Sequence, residues 1–193
     1  MNCNSCSGVM LQVYGQTHFH CSSCNSFEFP TELGNSLEAI KPKGKVTPFQ
    51  CPKCAIDLQV GTLHDQVEVC FCENCRGFVV DSATFGAIAT ELRDAYTGPE
   101  DTPQPIDPTQ MDRRESCPAC FERMDAHPYY GPGNIVLDTC MYCKLAWLDH
   151  GELSRIIRAP GLRNQNRSGN AESSVLRQAF DVQCHTNTNF GMF

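Results

Sequence analysis

The sequence predicts a small metal-stabilised α+β protein, built from three copies of one cysteine-bearing ribbon with a short helix after each. Two observations carry that expectation. Twelve of the fourteen cysteines fall into Cys-x-x-Cys pairs, and the pairs are separated alternately by hairpin-length gaps and by longer stretches. Each group of two pairs is also followed by apolar residues recurring at helical spacing, the mark of a short amphipathic helix. At 193 residues the length alone would suggest one domain or two, but the cysteine count overrides that prior.

Composition narrows the setting. A candidate ligand at Cys3 leaves no room for a signal peptide, and no apolar run approaches the ~18 residues a membrane span needs. The expectation is a cytoplasmic protein with no membrane partner, and in that reducing compartment paired cysteines hold metal more often than they form disulfides. The formal net charge is −7, and a divalent ion held by four thiolates would deepen it at each site. A binder of nucleic acid is usually recognised by a basic face, so the charge balance disfavours that class.

Block one, 1–42, pairs Cys3-x-x-Cys6 with Cys21-x-x-Cys24. Met10 to Tyr14 and Thr17 to His20 read as two strands about a turn at Gly15-Gln16, and Phe27-Glu28-Phe29 as a third. Thr31 is expected to cap a helix with Leu33, Leu37 and Ile40 on one face. A basic linker, 43–50, carries Lys43 and Lys45 among Gly44 and Pro48, just after Lys41 and Pro42. It reads as a solvated connector, with an acidic or phosphate-bearing partner as the sharper alternative.

Block two, 51–97, pairs Cys51-Pro-Lys-Cys54 with Cys72-Glu-Asn-Cys75. Phe78 to Asp81 reads as a strand, after which Asp81 or Ser82 can cap a helix bearing Phe85, Ile88, Ala89 and Leu92, closed before Gly98-Pro99. The stretch 98–116 is acidic and proline-rich with no apolar period, and reads as an extended mobile linker. Block three, 117–160, pairs Cys117-Pro-Ala-Cys120 with Cys140-Met-Tyr-Cys143 and continues through Trp147-Leu-Asp149. Asp149 to Glu152 has the form of a capping box for a helix carrying Leu153, Ile156 and Ile157, stopped by Pro160-Gly161. The remaining tail, 161–193, is polar, with a possible short helix at 172–182.

Register between the blocks is the strongest evidence that they are copies. Four residues past the second cysteine stand Met10, Leu58 and Met124; six past the fourth, Asp81 and Asp149; before the third, Val67 and Val69 match Ile135 and Leu137. At about 45 residues a block is too small to be stable by apolar burial alone. A structural zinc can contribute roughly 10–16 kcal/mol to such a peptide. Each Cys-x-x-Cys turn presents two thiolates, and two turns at neighbouring strand ends complete a tetrahedron. The expected ligands are Cys3, Cys6, Cys21 and Cys24; Cys51, Cys54, Cys72 and Cys75; and Cys117, Cys120, Cys140 and Cys143, holding three structural Zn²⁺ ions. Four thiolates leave no position open for water or substrate, so catalysis is not expected at these sites. Iron–sulfur clusters also use four cysteines but do not account for the hairpin-length gaps.

Other residues receive plainer readings. His18 and His20 are expected as strand histidines rather than ligands, and Cys70 as a half-buried small side chain. Cys184-His185 lacks a second pair, so metal binding there is disfavoured, and Trp147 is expected in a core or interdomain contact rather than as an exposed anchor.

Cys117-Pro-x-Cys120, Met124, Asp138-x-Cys140-x-x-Cys143 and Trp147-Leu-Asp149-x-Gly151-Glu152-Leu153 together resemble the transcription-factor-IIB-type zinc ribbon family of small bacterial proteins. Block two resembles a second copy through Cys51, Pro52, Cys54, Leu58, Cys72, Cys75, Gly77 and Asp81. It departs at Val79, where the family favours tryptophan, and at Ala83-Thr84-Phe85, where Gly-Glu-Leu is usual; block three has Leu145 where glycine is common. Block one is similar only in its cysteines and Met10. The resemblance implies three zinc ribbons, each a three-stranded antiparallel sheet with two cysteine knuckles, and a task of contacting protein.

Three functions follow as expectations. The first is a multi-ribbon adaptor for an unidentified protein partner, in the transcription machinery on the strength of the resemblance, with no small-molecule substrate and no enzymatic activity. The second is nucleic-acid binding through Lys41 to Lys45, Arg113-Arg114 and the arginines from Arg155 to Arg177. The third, weaker, is a redox chaperone using the Cys-x-x-Cys pairs as thiols.

Overall fold

The computed structural model describes residues 1–14, 16–30 and 36–163. Block one forms a small antiparallel sheet in the order β1 (Met10–Gln12), β2 (Phe19–Cys21), β3 (Phe27–Glu28). Most of the helix expected over Thr31 to Ile40, the tail helix 172–182 and Cys184-His185 lie outside the described residues. Ile40, expected on that helix, instead opens a strand.

Blocks two and three do not form separate ribbons. They share one seven-stranded antiparallel sheet, in the order β4-β5-β6-β7-β10-β9-β8. The strands are β4 (Ile40–Gln50), β5 (Asp57–Leu63), β6 (Val67–Phe71), β7 (Phe78–Asp81), β8 (Asp125–Pro128), β9 (Val136–Cys140) and β10 (Leu145–Leu148). Each block supplies three strands in matching register: Val60 faces Cys70 as Ala126 faces Asp138, and Gly61 faces Val69 as His127 faces Leu137. The last strand of one block then pairs with the last of the other, with Ala146 opposite Val80, Trp147 opposite Val79 and Leu148 opposite Phe78. Counted from the fourth cysteine of each block, Val79 and Trp147 are the same position. A pseudo-twofold axis therefore passes through that pair and relates the two blocks.

Strand alternation divides the sheet into two faces. Phe78, Val80, Ala146 and Leu148, with Val69, Phe71, Ile135 and Leu137, form one core with the two helices, α1 (Ser82–Ala95) and α2 (Glu152–Arg158). Val79, Leu145 and Trp147 point the other way and pack with Leu58, Met124 and the cysteines of blocks two and three. Trp147 is 0% exposed, which settles it as core. Its indole lies so close to Gly77 that a Cβ there would overlap the ring. The two blocks thus differ in a complementary way at the axis. Trp147 requires the glycine across the axis, while the smaller Val79 leaves room for Leu145.

Neither expected linker is a free connector. Residues 43–50 belong to β4, which runs along the edge of β5 with two irregularities in register. Lysines and prolines at this edge oppose pairing with other chains. Lys41 and Lys43 form ion pairs with Asp65 and Glu68 across the sheet, at 2.5 and 2.7 Å. The stretch 98–116 contains a 3₁₀ turn at Pro108–Asp112, capped by Asp107, and bonds to the body through Asp101 N–H to the Arg158 carbonyl at 3.0 Å.

The two helices are capped differently although Asp81 and Asp149 occupy matching positions before them. Asp81 caps α1 as expected, accepting from Ala83 and Thr84 N–H at 3.0 Å each. Asp149 caps nothing; α2 begins at Gly151, whose φ of 93° favours glycine. Half of the capping box survives, since Glu152 accepts from Asp149 N–H at 2.8 Å. Two further donors are met by Glu38, near the end of block one, which accepts from Gly151 N–H at 2.7 Å and Ser154 N–H at 3.0 Å. The carbonyls at the far end of α2 receive Arg93 from α1, a cation placed where the helix dipole favours one. No helix among the described residues is long and apolar enough to cross a membrane.

Candidate metal centres

Six turns of one design build the sites. The residue after each Cys-x-x-Cys adopts left-handed backbone: Ser7, Asn25, Ala55, Arg76, Phe121 and Lys144 have φ between 55° and 63°. In five of the turns this residue's N–H returns to the carbonyl of the first cysteine at 2.9 Å; the sixth closes within the β9–β10 ladder, where Cys140 faces Leu145. The chain thereby curls around the sulfur of the first cysteine. Backbone N–H groups point at it, as from Cys54 to Cys51 Sγ and from Cys143 to Cys140 Sγ, both at 3.4 Å.

The structure brings the twelve expected sulfurs into the three expected groups of four, with the sulfurs of each group within 4.8 Å of one another. Four sulfurs bonded tetrahedrally to one ion at about 2.3 Å stand about 3.8 Å apart. Cys3–Cys24, Cys6–Cys21, Cys51–Cys75 and Cys120–Cys140 are each separated by 3.6 Å. That spacing exceeds a disulfide bond by far and fits a shared ion. Electrostatics agree. In the second group, hydrogen bonds among the sulfurs push the Cys51 and Cys75 thiols up while holding Cys54 and Cys72 down. Sulfurs this close cannot all be thiolates unless a cation compensates them. Each group can therefore hold one metal ion.

The sites differ in their surroundings. Cys6 and Cys24 of the first are exposed, whereas every cysteine of the other two is buried or half-buried. Block one nevertheless docks on the larger body. His18, expected as a solvated strand residue, is buried, stacks on Phe29 and meets the His150 ring at 5.3 Å. Arg76 lies 4.0 Å over the Phe29 ring. Cys70 is fully rather than half buried, on β6 against Val79.

An ion cluster absent from the sequence reading joins the second and third centres. Asp149 accepts from Lys53 Nζ, inside the first turn of block two, at 2.6 Å, from Trp147 Nε1 at 3.1 Å, and from Arg113. Arg113 also donates to the Val136 carbonyl at 3.1 Å and lies 3.4 Å from the buried Asp138. Burial would lift the Asp149 carboxyl, but Lys53 and Arg113 overrule it and hold it at about 2. Burial lifts Asp138 to about 6 despite Arg113, and burial with the Asp149 charge lifts Glu152 well above the carboxylate range. The capping-box pattern, the register between blocks and the resemblance motif singled out Asp149 or Glu152 without their partners; Lys53 and Glu38 carry no local signal. A separate cleft of about 830 Å³ between block one, the 101–104 segment and α2 includes Tyr14, Gln104, Asn134 and Arg155 in its lining and none of the twelve cysteines.

Comparison with protein-family models, with curated proteins and with solved structures gave no significant match.

Proposed function

We propose that the three centres hold Zn²⁺ and that the chain is a zinc-stabilised adaptor binding another protein. The supporting observation is that each centre is closed. Four cysteine sulfurs fill a tetrahedral ion, leaving no position for water or substrate. Soft thiolates in that geometry favour zinc over harder ions. The metal then serves the fold, and function belongs to surfaces. The narrower form, a partner in the transcription machinery, rests on the likeness to transcription-factor-IIB-type ribbons.

The charge pattern supports this reading over nucleic-acid binding. Lys41, Lys43 and Lys53 face carboxylates. Arg113, Arg158 and Arg163 likewise lie against acidic side chains. Among the described residues, six of the cations that could meet phosphates thus already face carboxylates, some of them at the surface. Metal analysis of the purified chain should give three zinc ions per chain, and mobility-shift assays with DNA and RNA at low salt should show no complex. Fewer than two zinc ions would remove the basis of the proposal; a complex that weakens steeply with salt would transfer it to nucleic acid.

A further inference from the structure

The pseudo-twofold axis makes each contact of block two a template for block three. Block one docks beside the metal turns of block two: Asn74 Nδ2 donates to the Asn25 carbonyl, and Asn25 Nδ2 to the Lys53 carbonyl, both at 3.2 Å. The matching positions on block three are Tyr142 for Asn74 and Ala119 for Lys53. Among the described residues nothing covers this face, for Phe121, Met141 and Tyr142 are 62%, 61% and 81% exposed. In block two the same three positions are Ala55, Glu73 and Asn74, so the apolar character belongs to block three.

Phe121 is the sharper clue. Its φ is 63°, a conformation unfavourable for a bulky residue. The five residues in matching positions are Ser7, Asn25, Ala55, Arg76 and Lys144. An exposed aromatic gains too little packing to offset that strain, and strain of this kind concentrates at functional positions.

We infer that the face formed by Phe121, Met141 and Tyr142 is a self-association surface that receives the same face of a second copy of this chain. Turn-to-turn docking of one ribbon on another already occurs within the molecule, between blocks one and two. Exposed charges of both signs border the patch, Glu122 beside Phe121 and Lys144 beyond Tyr142. A twofold apposition can therefore set each Lys144 against the other chain's Glu122. At ~200 Å² for a large side chain, the three residues leave roughly 400 Å² of apolar surface per chain. Two such faces bury roughly 800 Å² before any rim, which suits a reversible dimer and falls short of a permanent one. The inference does not depend on the adaptor reading.

Sedimentation velocity of the full zinc-loaded chain across the micromolar range should show a monomer–dimer equilibrium. Phe121→Asn places at this position the residue that Asn25 already is, and Tyr142→Asn likewise copies Asn74. Either variant should retain its zinc and a Tm no lower than wild type, while dimerisation weakens about tenfold or more. Lys144→Glu should weaken it too, and adding Glu122→Lys should restore it. A chain that stays monomeric throughout, a dimer indifferent to both asparagine variants, or a charge exchange that fails to restore association would each overturn the inference. So would a monomeric chain that uses this face only for a different protein.

Discussion

Asp81 and Asp149 occupy one position in two copies of a unit, yet the structure gives them different work, and replacing each by asparagine separates the two roles. At Asp81 the side chain caps α1 through an oxygen that accepts two N–H bonds. Asparagine offers the same oxygen and caps about as well, so Asp81→Asn should stay within about 0.5 kcal/mol of wild type, whereas Asp81→Ala should lose about 1 kcal/mol. At Asp149 it is the charge that matters, because the carboxylate faces Lys53 and Arg113 together. The three side chains are 19%, 26% and 15% exposed. Breaking a fully buried pair costs 3–5 kcal/mol, and this partial exposure reduces the expectation for Asp149→Asn to about 2–3 kcal/mol. Urea unfolding in excess zinc, followed by the fluorescence of the single, buried tryptophan, measures both. A double variant with Arg113→Ala should lose less than the sum of the single losses. If Asp149→Asn unfolds within about 0.5 kcal/mol of wild type, the ion cluster does not stabilise the junction of blocks two and three and the argument fails.

Three further outcomes are expected. With Cys6 and Cys24 exposed, the first centre of the metal-loaded chain should surrender its ion to a metallochromic chelator well before the other two, and a single rate for all three ions would contradict the difference in burial. Gly77→Ala should destabilise by about 1–3 kcal/mol through overlap with the indole, and Trp147→Val should relieve it; circular dichroism reads both, and additive losses would refute the packing account. Burial, reinforced by His150, holds His18 down at about 4. The unfolded chain, with an ordinary histidine, binds this proton first, so the contribution of His18 is whole above about pH 6.5 and falls away toward pH 4 by at most ~3 kcal/mol. Because thiolate protonation weakens every centre in acid, the measurement is the difference between wild type and His18→Phe at pH 7 and pH 5; parallel losses would remove His18 from the account.

Much of this was legible because short-range chemistry dictates it. The twelve cysteines, the hairpins between them, and α1 with its Asp81 cap all follow from residues within a few positions of one another. The union of blocks two and three does not, since β7 and β10 meet across a long stretch of chain. A trace of it was present: Phe78-Val-Val and Leu145-Ala-Trp-Leu are continuous apolar runs, the pattern of strands buried on both faces, where a lone ribbon would alternate. The segment around Lys41 to Pro48 resembled a connector because an edge strand protected by lysine and proline has the composition of one. Its partners, Asp65 and Glu68, sit in the next hairpin but one strand over. Glu38 capping a helix more than a hundred residues away leaves no mark on its own neighbourhood, and neither does the reach of Lys53 to Asp149.

The uneven pair at the pseudo-twofold axis also decides what a fragment of this chain could do. Block three paired with a copy of itself through β10 would bring two indoles together with Leu145 beside each, and no glycine to admit either ring. Block two paired with itself would set two valines and two glycines in the same place and leave a hole. Only the mixed pair fills the space. The differences at positions 77, 79, 145 and 147 make this joint a lock and its key, so the halves of the sheet are not interchangeable parts and each specifies the other.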